Sequence, residues 1–221
     1  MATLTHPRFA SGTVIPLEPA RRVRAKRGDG ERLRHEILDA VDTLLAKGAK
    51  DDAVSIRAVA ELVGCTPPAI YMHFFDKQEL LFEVCARRFT QLNAYIDAAT
   101  AGVEDPIEAV VAGTRAYLAF GLDHPEHYRF LFMGRSVLST EQIDELRSAG
   151  VTGTDRLRER CQRCIDAGLV RVEDASLMGL AIWALVHGVV SLLIAKPHVD
   201  WPDPNTMLDH LLISHLNGLR A

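Results

Sequence analysis

Thr66, Tyr71, His73 and Lys77 lie within a single short stretch of this 221-residue chain. A hydroxyl, a phenol, an imidazole and an ammonium so close together are groups that contact phosphates and base edges in the major groove of DNA. Thr66 stands immediately before Pro67 and Pro68, which suit the first turn of a helix because a missing N–H costs little there. Its hydroxyl can therefore cap that helix or bond a phosphate, with the helix dipole behind it. Ala69 and Met72 offer only small or apolar contact, such as to a thymine methyl.

These side chains need a rigid platform, and the residues before them describe one. Ser55 caps a short helix with Ile56, Val59, Ala60 and Val63 on one side, and Gly64 ends it. A second short helix starts at Thr66 and carries Ile70. Each of three positions has a physical reason. Close packing of two helices leaves room only for a small side chain at Ala60, the turn asks for φ > 0 at Gly64, and Ile70 anchors the second helix. Upstream, Leu33, Ile37, Ala40, Val41, Leu44 and Leu45 mark one apolar face of a helix from Glu31 to Gly48. This is a three-helix head containing a helix-turn-helix. Ser55 and Arg57, at the start of its second helix, complete the candidate DNA-facing set with Thr66, Pro67, Ala69, Tyr71, Met72, His73 and Lys77.

The net charge of −4 argues against a nucleic-acid binder, but its distribution argues the other way. Residues 1–34 carry eight Lys/Arg against three Asp/Glu, whereas residues 101–221 carry eleven against sixteen. A basic end that meets a polyanion and an acidic body that does not would give this pattern. Residues 1–28 have no helical or strand period and hold Arg21, Arg22, Arg24, Lys26 and Arg27. They read as a flexible basic arm reaching phosphates or an adjacent minor groove.

Beyond the head, helical periods predict helices over 76–100, 106–123, 125–133, 139–167, 174–195 and 203–219. Nothing alternates with period two, so the chain reads as all-α. The expected division is an arm (1–28), a DNA-binding head (29–76) and a helical body for ligand binding and dimerisation (77–221). The segment 174–195 is apolar around most of its circumference. With 203–219 it suits a self-complementary contact between two copies better than a membrane span. The start of the chain has no apolar run of signal-peptide type, and four cysteines are too few for a disulfide framework, so a cytoplasmic protein with reduced thiols is expected.

With these residues assembled, Ser55 to Leu80 resembles the DNA-binding signature of TetR-family transcriptional regulators. AIYMHFFDKQELL is similar to that family's Tyr-x-x-Phe-x-x-Lys-x-x-Leu run, through Tyr71, Phe74, Lys77 and Leu80. Tyr117 to Met133 and the Trp183, His187, Gly188 cluster resemble the C-terminal domain of one branch of the family. The resemblance implies a homodimer whose heads bind a near-palindromic operator, more often to repress than to activate. It also implies a small-molecule site in each body and a dimer interface made by the last two helices. Pro67 and Pro68 depart from the polar or Gly residues common in that family, which puts more of the base reading on Thr66, Ala69, Tyr71, His73 and the arm.

The aromatic and sulfur side chains Phe89, Tyr95, Tyr117, Phe120, Tyr128, Phe132, Met133, Trp183 and His187 are the candidate lining of a site for a lipophilic effector. Trp183 and His187 put two N–H groups on an otherwise apolar face, to be satisfied by a ligand or by a structural carbonyl. Cys161 and Cys164 form a CxxC inside a predicted helix and read as two semi-buried thiols, and His124 and His127 flank a helix start. No cofactor, metal or catalytic machinery is expected. The competing reading is a helical small-molecule-binding or partner-binding protein without sequence-specific DNA affinity.

Overall fold

The computed structural model describes residues 29–46, 54–133, 138–148 and 153–220. The basic arm, with Arg21, Arg22, Arg24, Lys26 and Arg27, lies outside the described residues, as does Gly48. The head consists of α1 (Asp29–Ala46), α2 (Ile56–Val63) and α3 (Pro67–Tyr71). The body consists of α4 (Lys77–Thr100), α5 (Pro106–Asp123), α6 (Pro125–Tyr128), α7 (Thr140–Ser148), α8 (Thr154–Asp166), α9 (Ala175–Ala195) and α10 (Pro204–Leu219). A π turn, Arg129–Met133, continues α6. No strand occurs among the described residues; one antiparallel bridge joins Val170 to Arg220.

Local chemistry accounts for the helix ends. Ser55 Oγ accepts the Ala58 N–H at 3.1 Å, satisfying a free donor of the first turn of α2. At the other end Gly64 adopts φ 71° and ψ 33°, and the next N–H, of Cys65, returns to the Ala60 carbonyl at 2.9 Å. Asp76 caps α4 by accepting from Glu79 N–H at 2.8 Å, and the Glu79 carboxylate reaches back to the Phe75 N–H. Asp105 and Asp203 each cap a helix whose first residue is proline.

Where one helix was expected over 139–167, two are found, α7 and α8. The apolar period runs through both, but Gly153 opens α8 at φ 76°. That left-handed backbone favours glycine, and a Cβ there would also lie 2.5 Å from Asn93 Oδ1 on α4, so a substitution would have to move that side chain as well.

Three buried clusters hold the fold. The head cluster joins Ile37, Val41, Val59, Ile70 and Phe74 to Leu80, Leu81, Val84 and Cys85 from the first turns of α4. A second joins Tyr117, Phe120 and Tyr128 to Val186, Val189 and Val190 of α9. A third places Cys161 and Cys164 against Met178, Ile182 and Leu212. Thus α4 is shared, its N-terminal half packed in the head and its C-terminal half in the body. Among the described residues α9 is the one helix long and apolar enough to cross a membrane. One of its faces packs in the second and third clusters.

Candidate DNA interface and interior cavity

The α2–α3 unit carries the expected polar residues on its outer side. Ile70 and Phe74 are fully buried and hold α3 in place, leaving Tyr71 and Met72 exposed at 52% and 84%. Thr66 is exposed, and its hydroxyl makes no capping bond, so it is available to a phosphate. Ser55 is committed as the α2 cap, and Arg57 is exposed at the start of the same helix. His73 is half-buried, its ring against the start of α1, where Cε1 stands 3.7 Å from the position of a Cβ on Gly30. Lys77 is half-buried in the first turn of α4, Pro67 and Ala69 in α3. Phe75 was missed by reading the sequence, yet it is 87% exposed beside these residues. The Phe-Phe pair held the clue, since only one of two adjacent aromatics in a tight turn can enter the core, and Phe74 does.

Charge pairs fasten this head to the body. Arg88 Nε donates to Asp42 Oδ1 at 2.8 Å with both groups buried, Arg87 pairs with Asp39 at 2.6 Å and Arg34 with Glu83 at 2.7 Å. The Arg34 guanidinium also lies 5.2 Å from the centre of the buried Phe74 ring. His127 packs beside the Arg88–Asp42 pair, and its Nδ1 is buried without a partner among the described residues. Burial first, then the Arg88 charge, push its pKa down to about 4, so the ring is neutral.

Inside the body a cavity of about 400 Å³ opens between α4, α5, α7, α8, α9 and the π turn. Of the nine expected residues, Phe89, Tyr117, Phe132 and Trp183 line it. Tyr95, Phe120, Tyr128, Met133 and His187 do not. Phe120 and Tyr128 are completely buried in the second cluster, and Tyr95 is turned to His124, its hydroxyl 3.2 Å from Nε2. Met133 packs on the periphery of the same cluster.

Neither the Trp183 nor the His187 ring waits for a ligand or a carbonyl. Trp183 Nε1–H donates to Tyr117 OH at 3.2 Å, as an indole can only donate, and the Tyr117 and Tyr128 hydroxyls share a hydrogen bond at 3.1 Å. Tyr128 OH in turn shares a hydrogen bond with His187 Nδ1 at 2.6 Å, and His187 Nε2 meets Ser191 Oγ at 3.3 Å. Burial holds the His187 pKa below its ordinary value, consistent with a neutral ring at this place in the chain. The relay starts in the cavity wall and ends near the outer side of α9. Cys161 and Cys164 are fully buried rather than semi-buried, and burial pushes the Cys161 thiol up to about 12, far from the thiolate that metal or redox chemistry needs.

Polar residues that the search for aromatics passed over also line the cavity: Asn93, Thr114, Arg147 and Arg160. The arginines were hidden in the sequence by the many charges of α7 and α8, most of which face solvent.

A helix-turn-helix head with its outer groups exposed, joined by a shared helix to an all-α body with an internal cavity, defines a DNA-binding regulator. Residues 37–84 match the bacterial regulatory proteins of the tetR family, and residues 110–215 match the tetracyclin repressor-like C-terminal domain. The chain belongs to the TetR family of transcriptional regulators. It is therefore a DNA-binding regulator of transcription and not an enzyme. Solved structures share the fold. A protein of unknown function from Rhodococcus sp. RHA1 superposes with a TM-score of 0.73 at 23% identity, over 86% of this chain and 96% of that one. A tetR-family regulatory protein from Rhodococcus RHA1 gives 0.68 at 19%, over 86% and 98%. The TetR-family regulator PfmR from Thermus thermophilus gives 0.62 at 23%, over 84% and 99%. No curated protein sequence matches the chain.

Proposed function

We propose that the protein works as a homodimer that represses transcription from a near-palindromic operator and changes its DNA affinity when a small molecule fills the cavity. The observation that carries this reading is α4. Leu80, Leu81, Val84 and Cys85 belong to the head core, while Phe89, Leu92 and Ile96 of the same helix line the cavity. A helix is stiff along its axis, so a ligand that shifts its C-terminal half tilts the head at the other end. Two heads must meet half-sites about 34–36 Å apart, or a multiple of that, so a few ångströms of displacement cost affinity.

Dimerisation is supported by the outer faces of α9 and α10. Leu177, Leu180 and Leu192 are 63%, 56% and 45% exposed, and Leu211 and Ile213 of α10 add to the apolar surface. A Cβ on Gly188 would meet nothing within 4 Å, leaving space for a partner helix to approach. A twofold axis across α9 and α10 covers these faces with their own copies. Toward DNA, Thr66, Tyr71, Met72, His73, Phe75, Lys77 and Arg57 form the reading face, with Arg21 to Arg27 of the arm on adjacent phosphates.

Selection from a random DNA library with the purified full-length chain tests the reading, followed by affinity for the selected sequence across a salt series. The expected result is a near-palindrome with half-sites about one turn apart, bound at least tenfold more weakly by Tyr71→Ala and Lys77→Glu variants with unchanged circular dichroism. Weak, salt-sensitive binding without an enriched sequence, indifferent to both substitutions, overturns it.

A further inference from the structure

The cavity's charge is one-sided. Among the described residues it has two guanidiniums in its wall, Arg147 and Arg160, and no carboxylate. Arg147 is neutralised by its ion pair with Asp144. Arg160 has only a shared partner: its Nη2 bonds Thr100 Oγ1 at 3.2 Å and pairs with Asp97 Oδ1 at 3.5 Å, a carboxylate that Arg156 holds more closely. One carboxylate thus serves two guanidiniums. The Nε and Nη1 groups of Arg160 have no hydrogen-bond partner among the described residues, and Nε lies 4.0 Å from where a Cβ on Gly113, another wall residue, would stand. Only 13% of the side chain is exposed. Burial lowers the Arg160 pKa from its ordinary value, with the carboxylates of Asp97 and Glu159 opposing and the neighbouring Arg156 and Arg163 adding to the shift.

The rest of the cavity fixes the shape of an occupant. Cys85, Phe89, Leu92 and Ile96 lie along one face of α4, and a rise of 1.5 Å per residue sets Cys85 and Ile96 about 16 Å apart. Arg160 stands at the Ile96 end, beside Thr100, remote from the head. The other end reaches Cys85 and Phe130, which are part of the head core cluster.

Resting on the proposed ligand-responsive role, we infer that the effector is an elongated lipophilic acid carrying one negative charge. Its anionic oxygens bond Arg160 at the end of the body far from DNA, and its apolar tail runs along α4 toward the head. A guanidinium with free donors pairs a carboxylate through charge-assisted hydrogen bonds, while the tail displaces water from an apolar wall.

The test is calorimetric titration of the full-length protein, below micelle concentration, with dodecanoate, with dodecanol and with dodecyltrimethylammonium, which share a tail and differ in head charge. The expected order is dodecanoate at least tenfold tighter than dodecanol, with the cation weakest. Arg160→Gln should remove the preference for dodecanoate while leaving dodecanol affinity within a factor of three, and Arg160→Lys should retain part of it. The wild-type comparison alone decides the matter if Arg160→Gln does not fold. Dodecanol or the cation binding as tightly as dodecanoate overturns the anionic-head assignment and leaves the ligand-responsive role standing. Binding of none of the three overturns the elongated lipophilic acid, while the operator-binding role is decided separately by the DNA selection.

Discussion

His127 illustrates how one side chain reports on the joint between head and body. Its neutral ring sits beside the buried Arg88–Asp42 pair with Nδ1 unpartnered among the described residues. Since its pKa is about 4 in the fold and ~6.5 in an unfolded chain, the unfolded state binds more protons between those values. Stability contributed by this residue is therefore complete above about pH 6.5 and is lost as pH falls toward 4. Allowing for partial solvent screening, the loss is about 1–2 kcal/mol. His127→Gln should make denaturant-derived stability less dependent on pH across that window. An identical slope in the two proteins would show that the ring does not carry the effect. At this scale the sequence was informative about residue types but not about their partners. Trp183 and His187 read as N–H groups awaiting a ligand or a carbonyl, and their phenolic partners Tyr117 and Tyr128 were in view as separate candidates. Only the crossing of α5, α6 and α9 joins the four.

Among the elements, α5 and α9 approach closely at Gly121. A Cβ there would lie 2.4 Å from Val190 Cγ1 and 3.1 Å from Tyr128 Cδ2, and Val190 is fully buried. Gly121→Val should therefore force the two helices apart, costing about 2 kcal/mol, which for a chain of this size is roughly 4–8 °C in melting temperature. Differential scanning calorimetry checks this, and an unchanged melting temperature would mean that α9 has room to move. Helix positions were largely legible from apolar spacing, caps and prolines, because those are local signals. The break between α7 and α8 was not, because the left-handed Gly153 opens α8 beside the Asn93 side chain of α4, far earlier in the chain.

For the whole molecule, the outward apolar stripe on α9 is the feature that a single chain leaves uncovered. Leu180→Glu alters a residue that is 56% exposed, so the fold of one chain should be little affected. In the proposed dimer the same change places a charge against its own copy across the twofold axis. Sedimentation equilibrium should show at least a hundredfold weaker dimer, with operator affinity falling in step because each head then binds its half-site alone. A dimer of unchanged strength would move the interface away from α9.

The sequence by itself determined the helix-turn-helix and its outward residues, since that unit is built from neighbours: Ala60, Gly64 and Ile70 dictate the turn, and one helical turn orients Tyr71 and Met72. It also determined the all-α class, through periods that need no knowledge of other elements. The tertiary structure alone decided which aromatic residues are wall and which are core. Phe89 and Phe120 belong to the same residue type, and only the packing of the surrounding helices leaves space beside one and none beside the other. It alone singled out Arg160 from the other arginines of α8. A charge becomes chemically distinct through what surrounds it, and at Arg160 those surroundings come from α4 and α5, far away along the chain.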